Sequence, residues 1–139
     1  LFHDAVEAMA AAWRAQRIDM VAGIEARGFV LGGAVAYLLG AGFVPIRKQG
    51  HLPAAVESVA YALEYGEAVL EIHADAMRPG QRVLIIDDLL ATGGTASATI
   101  ELIERLGATV SGLGFLIELA ALGGAANLQD HEHLSLVII

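Results

Sequence analysis

Residues 83–100, VLIIDDLLATGGTASATI, join an aliphatic run to two aspartates, a loop of threonine and glycine, and a helical pattern. The run at 83–86 predicts a strand that is buried on both faces, because all of its side chains are aliphatic. Residues 95–106 predict a helix, because their aliphatic side chains recur at helical spacing. A buried strand that turns directly into a helix is typical of α/β folds with a parallel sheet.

The same alternation of strands and helices continues on both sides of this stretch. Further short apolar runs predict strands at residues 20–24, 43–46, 109–119 and 134–139. Residues 29–39, rich in helix formers, predict a buried helix between the first two. Since strands separated by helices imply parallel crossovers, we predict an α/β fold with a mostly parallel central sheet flanked by helices. The 139 residues suit a single domain, 1–139.

Three other segments have weaker patterns. The chain opens with a predicted helix whose apolar stripe, Phe2, Val6, Met9 and Trp13, is expected to face the core. Residues 58–63 and 68–73 alternate around a turn and predict an antiparallel hairpin. Residues 123–128 predict a short helix.

The overall composition narrows the possible partners. The sequence is 56% hydrophobic, carries a net charge of −8, and contains no cysteine. An acidic chain is not expected to bind nucleic acid, which requires a positive surface. No apolar run is long enough for a membrane span, and no secretory signal opens the chain. We therefore expect no nucleic-acid or membrane partner and a cytoplasmic location, which the absence of cysteine fits.

The loop at residues 91–95, which follows the strand at 83–86 and the two aspartates, has the chemistry of a phosphate site. Its residues are Ala91, Thr92, Gly93, Gly94 and Thr95. Glycines let the backbone approach a ligand closely, the threonines offer hydroxyls, and a helix start offers unpaired N–H groups. The preceding Asp87 and Asp88 repel phosphate, but they can accept hydrogen bonds from sugar hydroxyls or hold a hydrated magnesium ion. Residues 87–95 therefore predict one site that binds a phosphate, a ribose and a metal ion.

Other interpretations of the acidic strand end are less consistent with the sequence. An aliphatic strand ending in two aspartates resembles the Walker B element, but the chain contains no Gly-x-x-x-x-Gly-Lys-Ser/Thr. A phosphoacceptor receiver domain would not follow its acids with a Thr-Gly-Gly loop. Taken singly, each residue could also belong to an ordinary turn and helix cap, because Asp, Thr and Gly are all favoured there.

The nine residues 87–95, DDLLATGGT, resemble the phosphoribosyl pyrophosphate (PRPP) signature of the type I phosphoribosyltransferases. Their sequence is most similar to the signature of the adenine-specific members. Residues 25–29, EARGF, residues 47–53, RKQGHLP, and residues 63–66, LEYG, resemble further segments of these enzymes in the same order. The resemblance covers the chain from about residue 21 to residue 128. It implies the type I phosphoribosyltransferase fold with a flexible flap hairpin.

The resemblance also implies a reaction and its components. Adenine displaces pyrophosphate from C1 of PRPP, with Mg²⁺ as cofactor, to give AMP in purine salvage. The metal is expected to be held mainly by the substrate and to reach Asp87 and Asp88 through water. Members of the family usually act as homodimers, so we expect a homodimer here.

Site residues follow from the resemblance position by position. The 5′-phosphate is expected at residues 91–95 and the ribose at Asp87 and Asp88. The pyrophosphate and flap residues are expected to be Glu25, Ala26, Arg27, Arg47, Lys48, His51 and Tyr65. Arg27 is expected to act in catalysis, because a guanidinium binds two oxygens at once. The family's matching loop holds a non-proline cis peptide.

The flap and the base site are the remaining expectations. Residues 49–65 are expected to close over the reacting centre and exclude water, with Glu64 assisting catalysis near the base nitrogens. The resemblance also implies an apolar wall from the strand at Phe115 to Leu119, with Leu119 close to the purine. In the family, an N-terminal hood upstream of the first helix supplies much of the adenine-reading surface, and we expect that hood to be missing here.

One residue departs from the family pattern, and two alternative functions remain open. His51 stands where relatives commonly carry a lysine, and a neutral histidine would weaken pyrophosphate binding. The chain could be a non-catalytic PRPP-binding regulator of the same fold, although it shows no DNA-binding domain or basic face. It could also transfer phosphoribose to another base, such as xanthine or orotate.

Overall fold

The computed structural model describes residues 1–63 and 66–139, which form one seven-stranded sheet with helices on both faces. The α-helices are α1 (Phe2–Ala11), α2 (Arg27–Leu39) and α3 (Gly94–Arg105). The strands are β1 (Met20–Ile24), β2 (Gly42–Lys48), β3 (Val56–Leu63), β4 (Gly66–His73), β5 (Arg82–Leu90), β6 (Thr109–Glu118) and β7 (His133–Ile138). Two short 3₁₀ segments, Ala120–Leu122 and Gly124–Leu128, lie between β6 and β7.

The sheet is mostly parallel, as predicted. Its strand order is β3-β4-β2-β1-β5-β6-β7. Neighbouring strands from β2 through β1, β5 and β6 to β7 run parallel. The hairpin of β3 and β4 is antiparallel and joins the sheet through an antiparallel pairing of β4 with the end of β2. The predicted hairpin is therefore confirmed, and it extends the sheet on one side.

Alternating side chains of the central strands bury two separate cores. On one face, Val21, Leu84 and Ile86 pack against α1 and α2. On the other face, Ala22 and Ile85 pack with the apolar side of α3. A strand buried on both faces carries apolar residues at every position, which explains the continuous aliphatic run at 83–86.

The prediction that the apolar side of the first helix faces the core is wrong for Phe2. Val6, Met9 and Trp13 are buried, but Phe2 is 52% exposed, because it begins the helix at the margin of the core. Trp13 also lies beyond the end of α1, in the turn that follows Ala11. Burial of the indole therefore depends on that turn folding back onto the sheet.

The connections at the carboxyl ends of the central strands create a crevice. From β1 the chain continues to β2 on one side of the sheet, whereas β5 pairs with the other side of β1. At such a switch in strand order the following loops diverge and leave room for a ligand. None of the helices within the described residues is long and apolar enough to cross a membrane.

Candidate active site

A cleft of about 240 Å³ lies at the carboxyl ends of β1 and β5. It is lined by parts of β1, β2, β3, β4, β5, β6 and the first turn of α3. Of the predicted site residues, the cleft brings together Glu25, Arg27, Lys48, Asp87, Asp88, Ala91, Thr92, Gly93, Gly94 and Thr95. Three predicted sequence segments that are far apart in the chain therefore meet around one cavity.

The predicted phosphate loop leads directly into α3. Gly93 precedes the helix with a φ of 88°, a conformation that favours glycine. Within residues 1–63 and 66–139, no side chain caps the start of α3. The first N–H groups of the helix therefore remain available to an anion, together with the positive end of the helix dipole.

A 3₁₀ segment that the sequence prediction did not connect with the site supports this loop from behind. The side-chain amide of Asn127 donates a hydrogen bond to the carbonyl oxygen of Thr92 at 2.7 Å. A Cβ atom on Gly124 would collide with the carbonyl oxygen of Ala91, and one on Gly93 would come within 2.8 Å of the Gly124 carbonyl oxygen. The two backbones thus pack together closely, and the pair of glycines was the available signal in the sequence.

The two aspartates lie within β5, which runs four residues further than the predicted strand. Asp87 still pairs with Phe115 of β6, so its backbone belongs to the sheet. The backbone N–H of Asp88 donates to Asp87 Oδ1 at 2.8 Å. Partial burial raises the pKa of Asp87 to about 8, and the adjacent Asp88 carboxylate contributes to the rise. At neutral pH the pair therefore carries one negative charge.

That charge is matched by Arg27, at the start of α2. The Nε of Arg27 donates a hydrogen bond to Asp88 Oδ2. Burial disfavours the Asp88 carboxylate, but the contact with Arg27 outweighs this effect and holds the pKa of Asp88 below its ordinary value. The Arg27 side chain is 80% exposed, so it is free to turn towards a ligand.

The loop after β1 is organised around the carboxylate of Glu25. Its Oε1 accepts hydrogen bonds from Arg47 Nε at 3.2 Å and from the backbone N–H of Lys48 at 2.9 Å. Its Oε2 lies 3.0 Å from Nδ1 of His51. Burial raises the pKa of Glu25, but these hydrogen bonds outweigh burial and lower it to about 2. The peptide bond from Glu25 to Ala26 is cis.

The cations of β2 have different environments. The guanidinium of Arg47 lies 5.6 Å from the centre of the Phe29 ring and contacts Glu25, so it is partly engaged. Lys48, by contrast, lines the cleft. His51 follows in the next turn and faces Glu25. Arg47, His51 and the backbone of Lys48 are thus gathered around Glu25, and Lys48 lines the cleft.

The hairpin of β3 and β4 forms a further wall. Tyr61 of β3 and Leu70 of β4 line the cleft, and neither was predicted as a site residue. Alternation along β3 was the only signal for Tyr61. The predicted residues Glu64 and Tyr65 lie outside the described residues.

The predicted apolar wall is only partly at the cleft. Phe115, which is 1% exposed, and Leu90 line it. Leu119 does not line the cleft; it is half-buried after β6, with its N–H bonded to the carbonyl of Leu90. Contact of Leu119 with a base stays a prediction.

The acidic residues alone do not form a metal site. In the described part of the chain, no group of three or more His, Asp or Glu side chains could hold a metal ion. Asp88 is paired with Arg27, and Asp87 has a raised pKa. This donor set fits an Mg²⁺ ion that takes most of its ligands from a phosphorylated substrate and from water.

Comparisons with known proteins agree with this geometry. Residues 2–132 match the family Phosphoribosyl transferase domain. The chain is 63% identical to the adenine phosphoribosyltransferase of Paracoccus denitrificans over 132 residues, which cover 95% of this chain and 71% of the relative.

Solved structures give the same result. The crystal structure of adenine phosphoribosyltransferase from Thermoanaerobacter pseudethanolicus is 48% identical, with a TM-score of 0.96, covering 99% of this chain and 80% of that one. The enzyme from Saccharomyces cerevisiae, crystallised with an imino-altritol bisphosphate and adenine, is 38% identical, with a TM-score of 0.91 and coverages of 98% and 79%. The chain belongs to the type I phosphoribosyltransferase family, within its adenine phosphoribosyltransferases.

Proposed function

We propose that the chain transfers the phosphoribosyl group of PRPP to adenine and releases pyrophosphate and AMP. The observation that carries this proposal is the single cleft that unites the phosphate loop, the Asp87–Asp88 pair and the loop from Glu25 to Arg27. A phosphate site, a site for sugar hydroxyls and a second anion site are the three features that PRPP requires. Identity with the Paracoccus enzyme supports adenine as the acceptor.

The 5′-phosphate is assigned to residues 91–95. The helix start of α3 supplies N–H donors, and Thr92 and Thr95 supply hydroxyls. Gly93 adopts the positive φ that leads into the helix start, and neither Gly93 nor Gly94 adds a side chain beside those N–H donors. Asn127 holds the Thr92 carbonyl on the far side of the loop, away from the anion.

The ribose hydroxyls are assigned to Asp87 and Asp88. Both carboxyls face the cleft beside the phosphate loop. Asp88 is hydrogen-bonded to Arg27, and substrate binding is proposed to exchange this contact. Asp88 then accepts from a ribose hydroxyl, and Arg27 turns to the pyrophosphate. Asp87, protonated at neutral pH, can donate to or accept from the second hydroxyl.

Pyrophosphate is assigned to the opposite side of the cleft, with Glu25, Ala26, Arg27, Arg47, Lys48 and His51 around it. Arg27 and Lys48 line the cavity directly. Glu25 acts indirectly, because its carboxylate holds Arg47, His51 and the Lys48 backbone together. The positive charges lie where negative charge develops on the leaving group.

In the reaction the bond from C1 to the pyrophosphate oxygen breaks, and a bond from C1 to a purine ring nitrogen forms. The pyrophosphate leaves with the electron pair of the broken bond, and the proton of the purine nitrogen passes to solvent water. The transition state has oxocarbenium character, so positioning and charge stabilisation matter more than a strong nucleophile. Arg27 is proposed to act directly by neutralising the departing oxygens.

Magnesium is proposed as the cofactor. Bound to PRPP, it would neutralise phosphate charge, with Asp87 and Asp88 reached through water. The acid pair then orients the hydrated substrate as well as its sugar.

Closure of residues 49–65 is proposed to exclude water and so to prevent hydrolysis of PRPP. Glu64 and Tyr65 belong to this proposal through the resemblance alone. Replacement of Glu64 by alanine is expected to lower turnover sharply without unfolding the protein. Unchanged turnover would remove Glu64 from the mechanism.

Further expectations from the sequence stay proposals: a single domain spanning 1–139, a cytoplasmic location and a homodimer. On α2, Val30 is 64% exposed and Tyr37 is 85% exposed, which supports a covered surface there. Light scattering of the purified protein tests the homodimer. A dimeric wild type and a monomeric Tyr37→Glu variant would support α2 as the interface.

The first experiment mixes the protein with magnesium and PRPP and offers adenine, hypoxanthine, guanine, xanthine and orotate separately. We expect nucleotide and pyrophosphate in equal amounts with adenine only. Turnover with another base would overturn the assignment of adenine but keep the phosphate chemistry. Binding of PRPP without turnover on any base would favour the non-catalytic regulator.

A further inference from the structure

The side chain of Tyr61 connects the β3–β4 hairpin with the phosphate loop. Its hydroxyl lies 3.0 Å from Oγ1 of Thr95. Its ring covers Gly94, so that a Cβ atom added there would lie 3.3 Å from Cδ2 of the tyrosine. Tyr61 also lines the cleft. One residue of an edge strand therefore contacts both of the loop residues that begin α3.

The hydrogen bond between the two hydroxyls can run in either direction. A phosphate dianion only accepts hydrogen bonds, so Thr95 must donate its single proton to a bound phosphate. The lone pairs of Thr95 Oγ1 then remain for Tyr61, which becomes the donor. Bound phosphate thus fixes a chain of hydrogen bonds from Tyr61 through Thr95 to the anion, and each bond polarises the next.

We propose that Tyr61 is a positioning residue for the 5′-phosphate: it orients the Thr95 hydroxyl towards the anion and ties the hairpin to an occupied phosphate loop. The proposal rests on the proposed function in one respect, that Thr95 contacts the 5′-phosphate. It adds a residue outside the loop, on the β3–β4 hairpin, that responds to phosphate.

The pairing of the strands carries this contact across the cleft. Tyr61 pairs with Ala68 of β4, and β4 pairs with the end of β2 at Arg47 and Lys48. The backbone N–H of Gly50 also donates to Glu71 of β4 at 2.8 Å. The hairpin therefore links the phosphate loop to the segment that carries the cations, and a tyrosine fixed by the 5′-phosphate holds both walls in one arrangement.

The variant Tyr61→Phe isolates the hydroxyl, because the ring can still pack on Gly94. The matched control is Arg105→Ala. Arg105 of α3 donates to the carbonyl of Ser58 at 2.7 Å, and so joins the same helix to the same strand without touching Thr95. Thermal unfolding of both variants establishes that they are folded.

The test measures binding of ribose 5-phosphate, and separately of inorganic pyrophosphate, by calorimetry in magnesium buffer. For Tyr61→Phe we expect ribose 5-phosphate affinity to fall by about 3- to 10-fold, the effect of one hydrogen bond, and pyrophosphate affinity to stay unchanged. Steady-state kinetics should show KM for PRPP raised by a similar factor and KM for adenine unchanged. Arg105→Ala should bind ribose 5-phosphate like the wild type.

Each contrary outcome has a defined meaning. Equal affinity of Tyr61→Phe and wild type for ribose 5-phosphate overturns this proposal alone. An equal loss in Arg105→Ala, or an equal loss for pyrophosphate, also overturns it, because general docking of the hairpin would then explain the effect. Failure of the wild type to bind ribose 5-phosphate overturns both this proposal and the proposed function.

Discussion

The guanidinium of Arg27 is hydrogen-bonded to the carboxylate of Asp88, which follows it by 61 residues in the chain. The contact joins the start of α2 to the end of β5 across the mouth of the cleft. It places a cation proposed for pyrophosphate on a carboxylate proposed for ribose. Each residue therefore satisfies the charge of the other, and a substrate that binds both must replace this contact with two of its own.

Replacement of Asp88 by asparagine is expected to lower kcat/KM for PRPP by about 10- to 100-fold, the range for a lost hydrogen bond to a charged group. The side chain keeps its shape, so thermal unfolding should change little. Asp75→Asn is the control, since Asp75 is exposed and does not line the cleft. Wild-type kinetics in Asp88→Asn would exclude a role in ribose binding.

Replacement of Arg27 by lysine tests the guanidinium rather than its charge. Lysine cannot bind two pyrophosphate oxygens in one plane, so KM for PRPP should rise by about 10-fold. The same substitution at Arg17, which is 70% exposed and pairs with Asp19, should leave the kinetics unchanged. If Arg27→Lys retains the wild-type KM, a point charge is sufficient at this position.

The raised pKa of Asp87 predicts a loss of stability with rising pH. The pKa is about 8 in the folded protein and 3.8 ordinarily, so the folded state binds the proton more tightly. The free energy of unfolding should therefore fall between pH 4 and pH 8, by at most about 1.4 kcal/mol per pH unit. Glu25 and Asp88, with lowered pKa values, are ionised in both states above pH 5 and add no slope there.

Urea unfolding of wild type and Asp87→Asn from pH 5 to pH 8 measures this effect. The variant cannot ionise at this position, so its free energy of unfolding should decline less with pH than that of the wild type. Parallel pH profiles would show that Asp87 ionises normally in the folded protein.

The contribution of Glu25 to the free energy of unfolding is expected to have the opposite pH dependence, and Glu25→Gln tests it. The pKa of Glu25 is lowered from 4.5 to about 2, so its stabilising effect is present above pH 4.5 and is lost as the pH falls towards 2. At pH 7 the substitution should lower the free energy of unfolding by about 1 to 3 kcal/mol. At pH 3.5 the difference should be smaller. The control is Glu104→Gln, at an exposed position of α3; a Glu25→Gln difference that does not shrink in acid would contradict the assignment.

Asn127→Asp tests the hydrogen bond from Asn127 that supports the phosphate loop at Thr92. The aspartate cannot donate to the Thr92 carbonyl and adds negative charge beside the proposed phosphate site, so KM for PRPP should rise by about 10-fold. Gln129→Glu adds the same charge two residues further on, at an exposed position. Equal effects of both substitutions would indicate a general electrostatic change instead of the loss of this hydrogen bond.

Much of the architecture could be predicted because the patterns that encode it are local. Aliphatic runs, helical spacing and glycines at turns identified the parallel strands, the hairpin and the loop at residues 91–95. Boundaries were less predictable: β5 runs through Asp87 and Asp88 to Leu90, because pairing with β6 continues past the last aliphatic residue of the run. Burial of Trp13 and exposure of Phe2 likewise depended on where the core ends.

The sequence by itself determined the alternation of strands and helices, the composition of the phosphate loop and the family. Periods of two and 3.6 residues arise within a single element, so the chain reveals them without its partners. Only the tertiary structure decided that Arg27 contacts Asp88, that Tyr61 contacts Thr95, and that Asn127 supports Thr92. Those pairs depend on strand order and register: β1 lies between β2 and β5, and β3 of the hairpin contacts α3. No local pattern encodes a contact between side chains that only the assembled sheet brings together.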